Sequence, residues 1–88
     1  MDKTTAMEII KNESLENYCF FCEDINKEEA VVITENDIEW IVFTNDERGT
    51  KISEKVYKEE SKALMDFIER LRGGRALRQY INGKRGVD

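Results

Sequence analysis

Ala30-Val31-Val32-Ile33-Thr34-Glu35-Asn36-Asp37-Ile38-Glu39-Trp40-Ile41-Val42-Phe43-Thr44 is the stretch on which the fold turns. Two runs rich in β-branched and aromatic residues flank Asn36-Asp37. Both turn residues tolerate positive φ, so the stretch predicts a β-hairpin. The second run, Ile38 to Thr44, is the stronger strand. Side chains alternate along a strand, which puts Ile38, Trp40 and Val42 on one face and Glu39, Ile41 and Phe43 on the other. Trp40 is expected to point into the main core, with Ile41 and Phe43 half covered by other elements.

Working outward, Tyr18-Cys19-Phe20-Phe21-Cys22 reads as a further strand, aromatic and bounded by charge. Asn45-Asp46-Glu47-Arg48-Gly49 is a turn in which Gly49 supplies the left-handed position. Thr50 to Tyr57 can then return as a lysine-rich strand, a composition that suits a sheet edge, or form an irregular lead into the next helix. From Glu59 to Leu71, the residues Ala63, Leu64, Phe67, Ile68 and Leu71 form one broad apolar stripe at helical spacing. Gly73-Gly74 is expected to stop that helix, and Ala76 to Ile81 to form a short third one. At the other end, Thr5 with Glu8 three residues on has the pattern of a capping box, opening a short helix that ends near Asn12 to Ser14. The fold class predicted is α+β, with two layers. An antiparallel sheet of three to four strands is packed by one long C-terminal helix, with a short N-terminal helix in support. Residues 1–82 are expected to form a single domain and 83–88 a flexible tail.

A chain of 88 residues supports one hydrophobic core and no second domain. Histidine is absent, which excludes serine and cysteine triads built on it, as well as histidine-containing zinc sites. No apolar run approaches the length of about 20 residues needed to span a bilayer. Met1-Asp2-Lys3-Thr4-Thr5 leads into mixed polar sequence rather than a signal-peptide core, so a cytoplasmic protein is expected.

Charge is unevenly distributed. Residues 1–47 carry thirteen acids and three lysines, whereas residues 70–88 carry six basic residues and only Asp88 as an acid. The total of -5 therefore conceals a strong asymmetry. The densest acidic stretch runs from Glu23 to Glu47, with nine carboxylates and one lysine. Carboxylates this crowded repel one another unless a cationic partner offsets them. Arg70, Arg72, Arg75, Arg78, Lys84 and Arg85 could touch nucleic acid, but the acidic first half repels the same polyanion. Direct nucleic-acid binding is disfavoured.

Cys19-Phe20-Phe21-Cys22 matches half of a zinc knuckle or a redox pair. Structural zinc needs four ligands, and these are the only two cysteines. Residues three apart on a strand face opposite sides, so buried free thiols acting as small hydrophobes are expected. Acid pairs such as Glu28-Glu29 and Glu59-Glu60 lack any sign of the enclosed site that would drive their pKa values apart. No enzyme is expected, and no cofactor or metal site.

From Tyr18 to Leu71 the sequence resembles the small immunity proteins of bacterial polymorphic-toxin and contact-dependent inhibition systems. The landmarks are Trp40 in Ile38-Glu39-Trp40-Ile41-Val42, the turn Asp46-Glu47-Arg48-Gly49, and the helix entered through Lys58-Glu59-Glu60-Ser61-Lys62-Ala63. The resemblance implies an α+β fold without activity of its own, whose acidic surface blocks a basic toxin, often a nuclease. Glu35, Asp37, Glu39, Asp46 and Glu47 would then carry the complementarity, Glu28 and Glu29 would extend it, and Tyr57 or Tyr18 would supply an aromatic anchor. Phage-encoded inhibitors of nucleic-acid enzymes, anti-CRISPR proteins among them, share this size and acidity. A non-catalytic regulatory binding module fits the same residues, and so does a homodimer.

Overall fold

The computed structural model describes the backbone of residues 1–85 and the side chains of residues 1–74. Six elements follow in order: α1 Lys3–Asn12, β1 Tyr18–Phe20, β2 Val31–Glu35, β3 Trp40–Asn45, β4 Lys51–Tyr57 and α2 Glu60–Arg85. The strands form one sheet in the order β1-β2-β3-β4, packed by α2 with α1 beside it. The fold is two-layer α+β.

α1 is capped by Asp2 rather than by Thr5. The Asp2 Oδ1 atom accepts the Thr5 N–H at 2.8 Å, which places Thr5 inside the first turn. A carboxylate is a stronger acceptor than a hydroxyl and also meets the positive end of the helix dipole. The Thr5 N–H holds the Asp2 carboxyl below its ordinary pKa. At the other end Ser14 turns left-handed at φ 52, with Ser14 N–H bonded to Lys11 O and Leu15 N–H to Ile10 O. This is a Schellman stop, completed by burial of Ile10 and Leu15 in the same cluster.

The sheet is mixed, not antiparallel throughout. β2, β3 and β4 pair antiparallel, but β1 runs parallel to β2, with Tyr18 opposite Val31 and Phe20 opposite Ile33. Parallel neighbours need a crossover of about 10–12 residues or more to bring the chain back. Residues 21–30 provide it, near the short limit. Phe21, at φ 52, turns the chain out of β1, and Ile25 packs on the sheet face opposite α2.

Side-chain alternation sorts the sheet into two faces. Val31, Ile33 and Val42 are buried against Ala63, Leu64, Phe67, Ile68 and Leu71 of α2, with Trp40 half-buried beside them. Trp40 therefore faces the main core as its strand position predicts. Its indole Nε1 is buried without a hydrogen-bond partner. On the reverse face Cys19, Val32 and Phe43 form a second buried cluster, covered by Ile25 and Ile41. Phe43 is fully buried there, more than the half-cover expected from sequence. Ile38 leaves the strand altogether and is 70% exposed. The hairpin loop is Asn36 to Glu39 rather than Asn36-Asp37 alone, because Asn36 Oδ1 accepts from both Ile38 N and Glu39 N.

β4 is an exposed edge, as its lysines suggest. Its register with β3 shifts between Val42 and Thr44, where Ser53 adopts φ 53. α2 does not stop at Gly73-Gly74, and among the described residues no separate third helix follows. One helix of 26 residues runs to Arg85, absorbing Ala76 to Ile81 and residues 83–85 of the expected tail. Residues 86–88 lie outside the described residues. Glycine permits helical dihedrals at a cost of about 1 kcal/mol relative to alanine; it ends a helix only when it turns left-handed. Among the described residues Gly49, in the turn between β3 and β4, is the glycine that adopts a left-handed conformation, at φ 78.

Candidate partner-binding surface

The expected docking residues divide between the two ends of the sheet. β2 and β3 are paired from Val31–Thr44 at one end to Glu35–Trp40 at the other. Four residues of strand separate the ends by about 13 Å. Glu28 and Glu29 enter β2 at the first end, where Asp46 and Glu47 leave β3. Glu35, Asp37, Glu39 and Tyr57 belong to the second.

The first end is built by backbone and side-chain bonds between two loops. Glu29 N–H donates to Asp46 O at 3.0 Å, and Asn45 N–H to Ala30 O at 2.8 Å. The side chain of Asn45, only 3% exposed, spends both amide hydrogens on the carbonyls of Ile25 at 2.8 Å and Lys27 at 3.0 Å. Loop 24–27 is thereby tied under the 46–50 turn. That turn is closed by Asp46, whose Oδ1 accepts from Arg48 N and Thr50 N, each at 2.9 Å. A Cβ at Gly49 would lie 3.7 Å from Asn26 O and from the Glu28 Cγ. Six carboxylates and two cations fall in residues 23–29 and 46–50, a net charge of -4. Among the described residues no ion pair engages Glu28, Glu29, Asp46 or Glu47.

At the second end, charge is compensated within the chain. Lys3 Nζ meets Glu35 at 2.9 Å and Lys58 Nζ meets Glu39 at 3.1 Å. Asp37 stands exposed in the hairpin loop. Tyr57 packs its ring against the main core and donates its hydroxyl to Asp66 Oδ2 at 2.7 Å. Accepting that proton, the Asp66 carboxylate raises the phenol pKa above its ordinary value, and desolvation adds to the effect. Asp66 is in turn held by Arg70 Nε at 2.9 Å, and Arg70 also donates to Thr44 Oγ1 at 3.2 Å and Ser53 O at 2.6 Å. Tyr57 is thus the end of an inward polar network that ties α2 to β3 and β4. Tyr18, the other aromatic considered, is half-buried against the main core.

Beside the first end a groove of about 380 Å³ opens between Val31 and Leu71. Glu16, Glu29, Asp46 and Arg70 line it together with Gly73, Arg70 being paired with Asp66. A Cβ at Gly73 would meet nothing within 4 Å. The border carries three carboxylate residues against the one, already paired, cation of Arg70. With its apolar floor the groove can therefore accept a side chain with an aliphatic stem and a cationic head, arginine or lysine.

No family model, curated protein or solved structure matches this chain.

Among the described residues no group of three or more metal-ligating side chains could hold an ion, and no helix is long and apolar enough to cross a membrane. The cysteines depart from expectation: Cys19 and Cys22 are joined in a disulfide, with Cα atoms 5.4 Å apart. β1 ends at Phe20, and the left-handed Phe21 swings Cys22 back towards the side of Cys19. The alternation rule that would separate them ends with the strand. Sequence also missed Asn45, which reads as an ordinary turn residue. Its only distinguishing mark is its place after Thr44, where alternation continues the buried face of Ile41 and Phe43.

Proposed function

We propose that this protein is an immunity-type inhibitor, without catalytic activity, that acts in the cytoplasm by covering a basic protein such as a toxin or nuclease. The docking surface is the end of the sheet carrying Glu28, Glu29, Asp46 and Glu47. One observation carries this choice. The Glu29–Asp46 backbone bond gathers acids from two separate segments, while Glu35 and Glu39 are already matched by Lys3 and Lys58. A compact group of like charges costs stability in the free protein, and a cationic partner recovers that cost. It also steers encounter, raising association rates to about 10⁸ per molar per second or more at low salt. The neighbouring groove offers a place for an arginine or lysine anchor. The resemblance of residues 18–71 to immunity proteins supports the same reading.

The test is co-purification with the toxin domain encoded by an adjacent reading frame. Reversing Glu28, Glu29 and Glu47 to lysine should abolish capture, and the wild-type complex should weaken steeply with salt. Asp46 is left intact because its carboxylate closes the turn. Reversal of Glu35, Asp37 and Glu39 should leave capture largely in place. Equal retention in both triple variants would remove this surface as the docking site.

A further inference from the structure

The Cys19–Cys22 bridge stands apart from the acidic loops in chemistry. Its two sulfurs differ in access: Cys19 is 2% exposed inside the cluster of Val32 and Phe43, whereas Cys22 is exposed. Both also lie against one acceptor, the carbonyl oxygen of Asp24, at 3.6 Å from Cys19 Sγ and 3.5 Å from Cys22 Sγ. In the disulfide neither sulfur has a hydrogen to donate. In the dithiol each S–H has that oxygen within reach.

The turn joining the two cysteines is held by contacts other than the bridge. Phe21 N–H donates to Ile33 O at 3.0 Å, and the Phe21 ring stands edge-on to Phe20 with centroids 4.9 Å apart. Lys3 Nζ sits 4.2 Å from the Phe21 ring centre. Beyond Cys22, Ile25 N–H bonds Glu23 O, and Asn45 holds the Ile25 carbonyl. These contacts hold the backbone on both sides of the bridge, whose Cα atoms lie 5.4 Å apart, within disulfide range.

We infer that Cys19–Cys22 is a reversible thiol–disulfide exchange site, entered at Cys22, which changes redox state without unfolding the sheet. A small thiolate such as glutathione attacks Cys22 Sγ. The Cys19–Cys22 bond breaks, a mixed disulfide forms on Cys22, and Cys19 leaves as a thiolate that takes a proton from solvent. A second thiolate attacks the glutathione sulfur of the mixed disulfide and releases Cys22, which is protonated in turn. Two thiols are oxidised to one disulfide, and the protein disulfide is reduced to two thiols. Cys19 is buried among apolar side chains and closed to an incoming thiolate, so attack from outside is directed to the exposed Cys22 sulfur.

The experiment equilibrates the full chain in glutathione buffers of varied reduced-to-oxidised ratio, followed by acid quench and mass spectrometry. One reversible transition between disulfide and dithiol is expected. Circular dichroism and amide exchange at Val32, Ile33 and Val42 should stay unchanged across it. In the reduced chain, iodoacetamide should label Cys22 at least about tenfold faster than Cys19, as the difference in exposure requires. Cys19→Ala should accumulate the glutathione adduct on Cys22, and the labelling of unmutated protein decides the matter should that variant not fold. Loss of the sheet on reduction, equal labelling of the two cysteines, or no disulfide at any ratio would overturn the assignment.

Discussion

The side-chain amide of Asn45 donates to the carbonyl oxygen of Ile25 at 2.8 Å, across twenty positions of sequence. A second bond from the same nitrogen reaches Lys27 O at 3.0 Å. Asn45→Ala leaves both carbonyls without that donor and removes the side-chain tie between loop 24–27 and the 46–50 turn, while the Glu29–Asp46 backbone bond remains. The expected loss is about 2 kcal/mol. Urea unfolding should show a lower midpoint, and amide exchange should quicken in residues 24–29 before the sheet opens.

Tyr57 makes stability depend on alkaline pH. Its folded pKa lies above the ordinary value of 10.0 because the Asp66 carboxylate accepts the phenolic proton. The unfolded chain therefore loses this proton first as pH rises, and the native state is left binding more protons. The contribution is fully present below about pH 10 and is lost as pH climbs through the folded pKa. The stability difference between wild type and Tyr57→Phe, measured by urea unfolding, should shrink above pH 10. A difference that grows with pH contradicts the geometry.

Arg70 serves Asp66, Thr44 and the Ser53 carbonyl at the register shift. Arg70 and Asp66 are about one-sixth exposed, at 15% and 17%. Arg70→Met should cost about 2–3 kcal/mol, since Asp66 stays mostly buried with one partner fewer. Combining it with Asp66→Asn should cost less than the two single effects added together. Additive losses would mean that the two side chains act independently.

Gly73 separates the two readings of α2. In a continuous helix with open space around its Cβ position, Gly73→Ala should stabilise the chain by about 1 kcal/mol. The melting temperature should rise by about 4–8 °C. If glycine ended the helix in a left-handed conformation, alanine would destabilise it instead.

How far the sequence reaches is visible element by element. The stripe Ala63, Leu64, Phe67, Ile68 and Leu71 is buried on one side of α2, as its spacing requires. Val31 to Glu35 and Trp40 to Asn45 pair as a hairpin, and the lysine-bearing strand β4 lies at the edge. These are local patterns: a period of 3.6 or 2 fixes which side chains share a face before any partner is known. The same alternation misled at Cys19 and Cys22, because it holds only while a strand continues, and this one ends at Phe20. The Gly73-Gly74 reading failed for a related reason. Glycine lowers helix stability without dictating a stop, and packing of the preceding turns decides whether the helix goes on.

The sequence by itself determined the layers, the core and the uneven distribution of charge, since each is a sum over neighbours in the chain. Tertiary structure alone decided that β1 lies parallel to β2, that Asn45 ties loop 24–27 under the 46–50 turn, and which carboxylates stand together. Acids only six to eleven positions apart, Glu28 or Glu29 and Glu35 or Glu39, end at opposite ends of a strand. Glu29 and Asp46, seventeen positions apart, meet across a backbone bond. Strand pairing joins residues by register, and register depends on where the chain reverses, which no count of charge along the sequence contains.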